Sequence, residues 1–478
     1  MATSSPSQQD RDRSSHSGMT DWAGLMREGR RLVAADTPAE AATCFVRASG
    51  QRPDHIPTLL DLGAAQLKAG RNAEALDVFA TILDLDPHQG GARHGEGLAR
   101  FNLGDRDGAL TAFRRVVTDD RKAWTSWRSI ADLTPYEDER LAAITATAEA
   151  LQALCRNPRA APIQFVRCAD ALMDAHLFDT ATAFILSNRS RFGDASTAYD
   201  RLARATYRLG AFRSAFDLMV QALAATDPGP AGGAHAPPVF NPDAALGALR
   251  EVGDILSAHG VQYFLAGGTL LGCVRNGGPL PHDRDIDIGL FRDGPDAPDP
   301  VNILRAHPAL MLTPSARPGD RYASVRYQGI AIDIFLHDHS EGAVVCGFSH
   351  QRGDIQWRLS PFHLGRACFG GATWNVPDRA ERYLADMYGR TWRRPDTGFA
   401  SVVSSPALFE VNAYARAFYS VARARKCRLS GDAQKAEALL RQSPIPVALN
   451  HHAIPSACQA DSQIPAADDS RCVPGESP

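Results

Sequence analysis

Residues 265–289 read LAGGTLLGCVRNGGPLPHDRDIDIG, and the two ends of this stretch carry its chemistry. At its head, Tyr263-Phe264-Leu265 has the composition of a short strand and runs into Gly267-Gly268-Thr269. At its foot, Asp285 to Leu290 alternates, so a strand there turns Ile286, Ile288 and Leu290 to one side and Asp285 and Asp287 to the other. Ile330 to Leu336 alternates in the same way, with Ile330, Ile332, Ile334 and Leu336 opposite Asp333. A neighbouring strand can bring Asp333 beside the first pair. Carboxylates on one strand face are no packing device, since two of them about 4 Å apart repel by roughly 4 kcal/mol at an effective dielectric of about 20. Protonation, a nearby arginine or a divalent cation must offset that, and oxygen-only ligands on a rigid strand suit Mg²⁺ or Mn²⁺. A Gly-Gly-Thr turn supplies the complement: its backbone N–H groups can approach phosphate oxygens, and the Thr269 hydroxyl adds a donor.

Around this stretch, Asp243 to His259 reads as an amphipathic helix with Leu246, Leu249, Val252 and Leu256 on one stripe. Arg275 is a candidate phosphate contact, with a structural ion pair as the alternative. Arg321 and Arg326 either balance Asp333 or grip a substrate, and the sequence does not choose. Asp283 caps its loop or touches metal or substrate, and His282 reads as a loop residue. His337-Asp338-His339 follows a strand and lacks partners at zinc spacing. Cys273 reads as a small core filler.

Towards the N-terminus the chain repeats itself. Phe45, Phe79 and Phe113 are 34 apart, as are Ala41, Ala75 and Ala109. Pro53 and Pro87, Gly63 and Gly97, and Gly70 and Gly104 keep the same step. This period, with small residues on a first helix, Gly at the turn and an aromatic on the second helix, resembles the tetratricopeptide pattern. The phase lapses between about 120 and 160 and returns with His176 and Gly210, Ala181 and Ala215, and Ile185 and Met219. Residues 20–225 therefore read as a TPR-like helical repeat domain. Residues 226–242 read as a Pro/Gly linker with few contacts to what precedes it. Residues 1–19 and 443–478 read as disordered, and His451 and His452 in the tail as solvated polar sequence.

The quoted stretch is similar to the signature of the LicD/fukutin family. Ile332-Asp333-Ile334-Phe335 resembles that family's later carboxylate strand. Asn375-Val376-Pro377, Tyr383-Leu384, Tyr388-Gly389 and Trp392 resemble its closing helix. The resemblance implies a nucleotidyltransferase fold, an α/β (α+β) domain over 243–442 with C-terminal helices, behind an all-α solenoid. It implies Asp285, Asp287 and Asp333 as catalytic metal ligands and Gly267, Gly268 and Thr269 as the phosphate-contacting turn. It implies transfer of phosphocholine or a phospho-sugar-alcohol from a CDP-type donor to a glycan or glycoconjugate. Where the family often has an aromatic followed by consecutive acids, this chain has His282-Asp283-Arg284, which puts the donor in question. Two alternatives stand beside the phosphotransferase: a nucleotidyltransferase acting on a small molecule or RNA, and a TPR binding scaffold with a vestigial catalytic domain.

Composition bounds the rest. A formal net charge of −3 supplies no global field for nucleic acid or an anionic membrane. Nine scattered cysteines without a Cys-x-x-Cys pair read as reduced thiols. With no apolar leader and no run of roughly 18 apolar residues, the expectation is a cytoplasmic protein that visits a membrane surface only peripherally. The repeats are expected to dock a protein partner.

Overall fold

The computed structural model describes residues 21–230, 241–280, 283, 285–292 and 298–447. The start 1–19, residues 231–240 of the linker, His282, Arg284, and the tail from 448 on with His451 and His452 lie outside the described residues.

Twelve α-helices fill Trp22 to Ala224: α1 Trp22–Ala34, α2 Pro38–Gln51, α3 Ile56–Lys68, α4 Asn72–Leu85, α5 Gly90–Asn102, α6 Arg106–Asp119, α7 Trp124–Leu133, α8 Glu137–Cys155, α9 Pro162–Asp174, α10 Phe178–Asn188, α11 Ala195–Arg208 and α12 Phe212–Ala224. They pair as antiparallel hairpins stacked in sequence, as a repeat array requires. The reason for the Gly–Phe pattern is contact. A Cβ added to Gly63 would lie 2.6 Å from the Phe79 ring, so only glycine lets that ring fill the hairpin. The lapse in phase also has a cause. The first helices of the repeats start at 22, 56, 90 and 124, then at 162, because α8 runs 19 residues where α2, α4 and α6 each run 14.

The second unit opens with α13 Pro242–Ala258, whose stripe of Leu246, Leu249, Val252 and Leu256 is buried. Its strands are β1 Tyr263–Leu265, β2 Asp285–Phe291, β3 Met311–Leu312, β4 Tyr322–Tyr327, β5 Ile330–Ser340, β6 Ala343–Gly347 and β7 Gln356–Leu359, in one mixed sheet of order β1-β2-β5-β4-β3 with β6 and β7 continuing from β5. The hairpin of β8 Leu364–Phe369 and β9 Ala372–Pro377 stands apart from that sheet. Helices α14 Gly267–Asn276, α15 Pro300–Ala306, α16 Ala380–Tyr388, α17 Ser401–Ser404, α18 Ala413–Leu429 and α19 Ala433–Arg441 complete the unit. Ile286, Ile288, Leu290, Ile332, Ile334 and Leu336 are buried as the alternation requires, while Ile330 at the strand start is half-buried.

The pair α18–α19 is built like a repeat. Gly431 adopts φ 77°, and Asp432 N–H donates to Cys427 O at 2.9 Å. The same bond closes other hairpins from Arg71 to Gln66 O, from Asp105 to Arg100 O and from Leu177 to Leu172 O. Ala436 follows Gly431 by five, as Ala75 follows Gly70 and Ala215 follows Gly210. Phe418 and Val421 of α18 share an apolar cluster with Tyr207, Phe212, Phe216 and Met219 of the array, and Ile445 and Val447 pack onto the same cluster. The hairpin thus extends the array from the far side of the second unit, and residues 443–447, expected to be disordered, pack against it.

The two units meet along a polar seam that few linker contacts would not predict. Buried Arg140 donates to Pro314 O at 2.6 Å and Ala316 O at 2.7 Å while its fork pairs with Glu137. Arg305 also pairs with Glu137. Arg317 donates to Asp174 O at 2.7 Å, His176 Nε2 contacts Ser315 O at 2.9 Å, and Tyr207 donates to Asp354. Even the start of the linker is engaged, with Gly229 N–H donating to Arg428 O.

Candidate active site

β2 and β5 pair in parallel with Asp287 directly opposite Asp333, and Asp285 lies two residues before Asp287 on the same face. The sheet register therefore assembles the three carboxylates that the two alternating runs separately present. α14 grips the middle one. Gly268 N–H donates to Asp287 Oδ2 at 2.6 Å, and Asp287 N–H donates to Thr269 Oγ1 at 2.8 Å. Gly267 adopts φ 46°, and a Cβ there would come within 2.4 Å of Asp287 Oδ2. The Gly-Gly-Thr segment is thus the first turn of a helix rather than a free loop. Its polar groups turn onto Asp287, and Gly267 N–H points to the Tyr383 hydroxyl at 3.4 Å. Thr269 is buried.

Two further side chains flank Asp333. On β4, Ser324 lies directly opposite it and Tyr322 two residues earlier on the same face. Sequence reading missed both, although Tyr322, Ser324 and Arg326 alternate along a strand whose partner carries Asp333. Arg321 turns away: it is buried against Asp338, Ser349 O and Gln356. Arg326 is exposed on β4. Arg275 is half-buried, with its Nε on Asn276 Oδ1 at 3.2 Å. Asp283 reaches the site, with its carboxylate oxygens 3.8 Å from where a Cβ on Gly268 would sit. Cys273 fills the core, and His337 is buried with Nδ1 on Phe335 O.

The electrostatics follow from this crowding. Burial, then Asp285 and Asp333, raise the Asp287 pKa well above the carboxylate range against the opposing Gly268 bond. Burial and Asp285 raise that of Asp333, while Ser324 and Tyr322 pull it down. The pKa of Tyr388, half-buried near Asp287, is pushed well up by desolvation and that charge. As they stand, no three acidic, imidazole or thiol groups among the described residues are arranged to enclose an ion, and Asp287 has one oxygen committed to Gly268. The donor chemistry nevertheless suits a hard cation: carboxylate oxygens only, on adjacent strands spaced about 4.8 Å apart.

Residues 260–379 match the family model described as LicD/FKTN/FKRP, nucleotidyltransferase domain, and residues 32–90 match a tetratricopeptide-repeat model. The chain carries a LicD-type nucleotidyltransferase domain preceded by TPR repeats. Ribitol 5-phosphate transferase FKRP of Mus musculus is 45% identical over 56 residues, 11% of this chain and 11% of its own length. Ribitol-5-phosphate transferase FKTN of Mus musculus is 26% identical over 152 residues, 31% of this chain and 32% of its own. The chain therefore spans about a tenth to a third of these curated relatives. A tetratricopeptide repeat protein from Parabacteroides merdae aligns at 17% identity and TM-score 0.30, over 45% of this chain and 83% of its own. The carboxylate strands and α14 of the LicD-type domain lie inside the matched segment, whereas α18 and α19 lie beyond it. No helix among the described residues is long and apolar enough to cross a membrane. A cleft of about 700 Å³ lined by Gln89, His94, Asp119 and Ser126 belongs to the array and not to the carboxylates.

Proposed function

We propose that the LicD-type domain transfers a phosphate-linked group, phosphocholine or a phospho-sugar-alcohol, from a CDP-type donor to a hydroxyl of a glycan or glycoconjugate. The observation that carries this reading is the direct register of Asp287 and Asp333, with Asp285 on the same face. Asp285, Asp287 and Asp333 would hold Mg²⁺ or Mn²⁺, which supplies charge neutralisation on the donor phosphates when bound. Gly268 and Thr269 fix the Asp287 backbone and carboxylate so that its face of the strand stays aimed at the donor. Gly267, Gly268 and Thr269 act on the phosphates through Asp287, onto which their polar groups turn, and Arg275 at the end of the same helix is the direct phosphate contact.

In the transfer, the acceptor oxygen forms a bond to the phosphorus that carries the group. The bond from that phosphorus to the CMP oxygen breaks, and CMP leaves with the electron pair. The acceptor proton passes to Asp333. Asp333 stands on the acceptor-facing strand beside Ser324 and Tyr322 of β4, in position to take that proton. The array would dock a protein partner or the acceptor's carrier. Product analysis tests the reading: the phospho-group on the glycan with CMP released supports it, whereas nucleotide incorporated into product selects a nucleotidyltransferase.

A further inference from the structure

Helix α18 touches both units. Arg425 donates to Ser196 and Asp200 of the array, and Arg416 donates to Val403 O on the other side. Tyr419 lies on the edge towards the LicD-type domain, with its ring 5.7 Å from Phe348. Phe348 is 5.2 Å from the Tyr322 ring, and Tyr322 sits on β4, which pairs with the strand that carries Asp333. That edge of α18 therefore runs along the wall of the carboxylate cluster. One turn on from Tyr419, residues four apart share a face, and the residue there is Arg423.

Arg423 differs from its neighbours in having nothing assigned to it. Among the described residues it makes no hydrogen bond or ion pair, while Arg416 and Arg425 are both committed. The groups that act on its charge are Tyr419, Asp285 and Cys427, which places its guanidinium within electrostatic reach of the first carboxylate. It is exposed, yet protein crowds it enough for desolvation to lower its pKa. A side chain that is accessible to solvent yet flanked by protein can meet an incoming anion.

We propose that Arg423 binds a phosphate of the donor, so that the repeat-type hairpin α18–α19 completes the active site of the LicD-type domain. The inference rests on the transferase reading and adds a binding residue from outside the matched segment. Its chemistry is direct. A diphosphate approaching Asp283, Asp285, Asp287 and Asp333 meets like charge, and a guanidinium fork offers paired donors matched to phosphate oxygens. Because α18 also belongs to the array, anything that shifts the last repeats shifts this arginine too.

Titrating the full chain with CDP, and separately with pyrophosphate, in saturating Mn²⁺ tests the assignment. Arg423→Gln should weaken both probes by about ten- to a hundredfold, the loss expected of one charge-assisted bond. Arg423→Lys should fall between, Mn²⁺ affinity should be unchanged, and the thermal midpoint should hold because the side chain is exposed. Unchanged probe binding by Arg423→Gln would overturn the proposal. Tighter Mn²⁺ binding with unchanged CDP binding would overturn it as well, because Arg423 would then only screen Asp285. If the folded wild-type chain binds neither probe, the transferase reading itself fails, an outcome visible before any variant is compared.

Discussion

Gly267→Ala is the smallest change that separates the site from the fold. An added Cβ would sit 2.4 Å from Asp287 Oδ2, against an ordinary contact of about 3.5 Å, so the carboxylate must retreat by about 1 Å. That retreat breaks the 2.6 Å bond from Gly268 N–H, which contributes about 1.5–3 kcal/mol if the carboxylate is charged. The left-handed φ of 46° adds roughly 1–2 kcal/mol for any residue with a Cβ. Part of this returns as the Asp287 carboxylate moves away from Asp285 and Asp333, which repel it, so a net destabilisation of about 2–3 kcal/mol is expected. Turnover should suffer more, since displacing a positioned group by about 1 Å costs on the order of a hundredfold. Chemical denaturation gives the first quantity and nucleotide release from a CDP-linked donor the second. A Gly267→Ala protein with wild-type turnover would refute the idea that this helix start positions Asp287.

Three other outcomes follow from the same geometry. Arg140→Ala strips the donor from two seam carbonyls and half of the Glu137 pairing, so it should cost about 3–5 kcal/mol in denaturant unfolding; a loss below about 1 kcal/mol would mean the seam is loose. Burial lowers the His337 pKa from the usual 6.5 to about 4. The folded state thus binds fewer protons than the unfolded state between those values, and stability, complete above pH 6.5, should fall by about 3 kcal/mol as pH drops through 4. His337→Gln should flatten that part of the stability–pH curve, and an unaltered slope would assign the acid sensitivity elsewhere. A truncation ending at residue 226 uncovers Tyr207, Phe212, Phe216 and Met219, so circular dichroism melts should show a last repeat that frays or aggregates; a sharp, soluble, wild-type-like transition would show that α18–α19 is dispensable to the array.

Much of this architecture was legible because its signals are local. The 34-residue step of Phe45, Phe79 and Phe113 records one ring filling one hairpin, and the alternation at Asp285 and at Asp333 records one buried face of a strand each. What escaped depends on pairing across distance. Ser324 and Tyr322 matter only because β4 lies against β5 in a particular register, and no run of residues announces that. The last hairpin carries the same Gly431-to-Ala436 spacing as the repeats, but the whole LicD-type domain separates it from Gly210, so the period could not be followed to it. Gly267-Gly268-Thr269 was recognisable as a special segment, while its immediate duty towards Asp287 required the position of β2 beside the start of α14.

The central claim is that Asp285, Asp287 and Asp333 act as one metal-dependent transferase site. The most direct test incubates the purified chain with a panel of CDP-linked donors and a glycan acceptor mixture, with Mg²⁺, Mn²⁺ or excess chelator, and follows CMP release. Release should vanish in chelator and return with either metal. Asp→Asn at any of the three should abolish it with the thermal midpoint unchanged or raised, because each substitution relieves repulsion. The Asp285 and Asp287 double variant should be little worse than the poorer single, since residues that act as one unit do not add. Full turnover in excess chelator, or activity that declines only in step with lost stability, would contradict it.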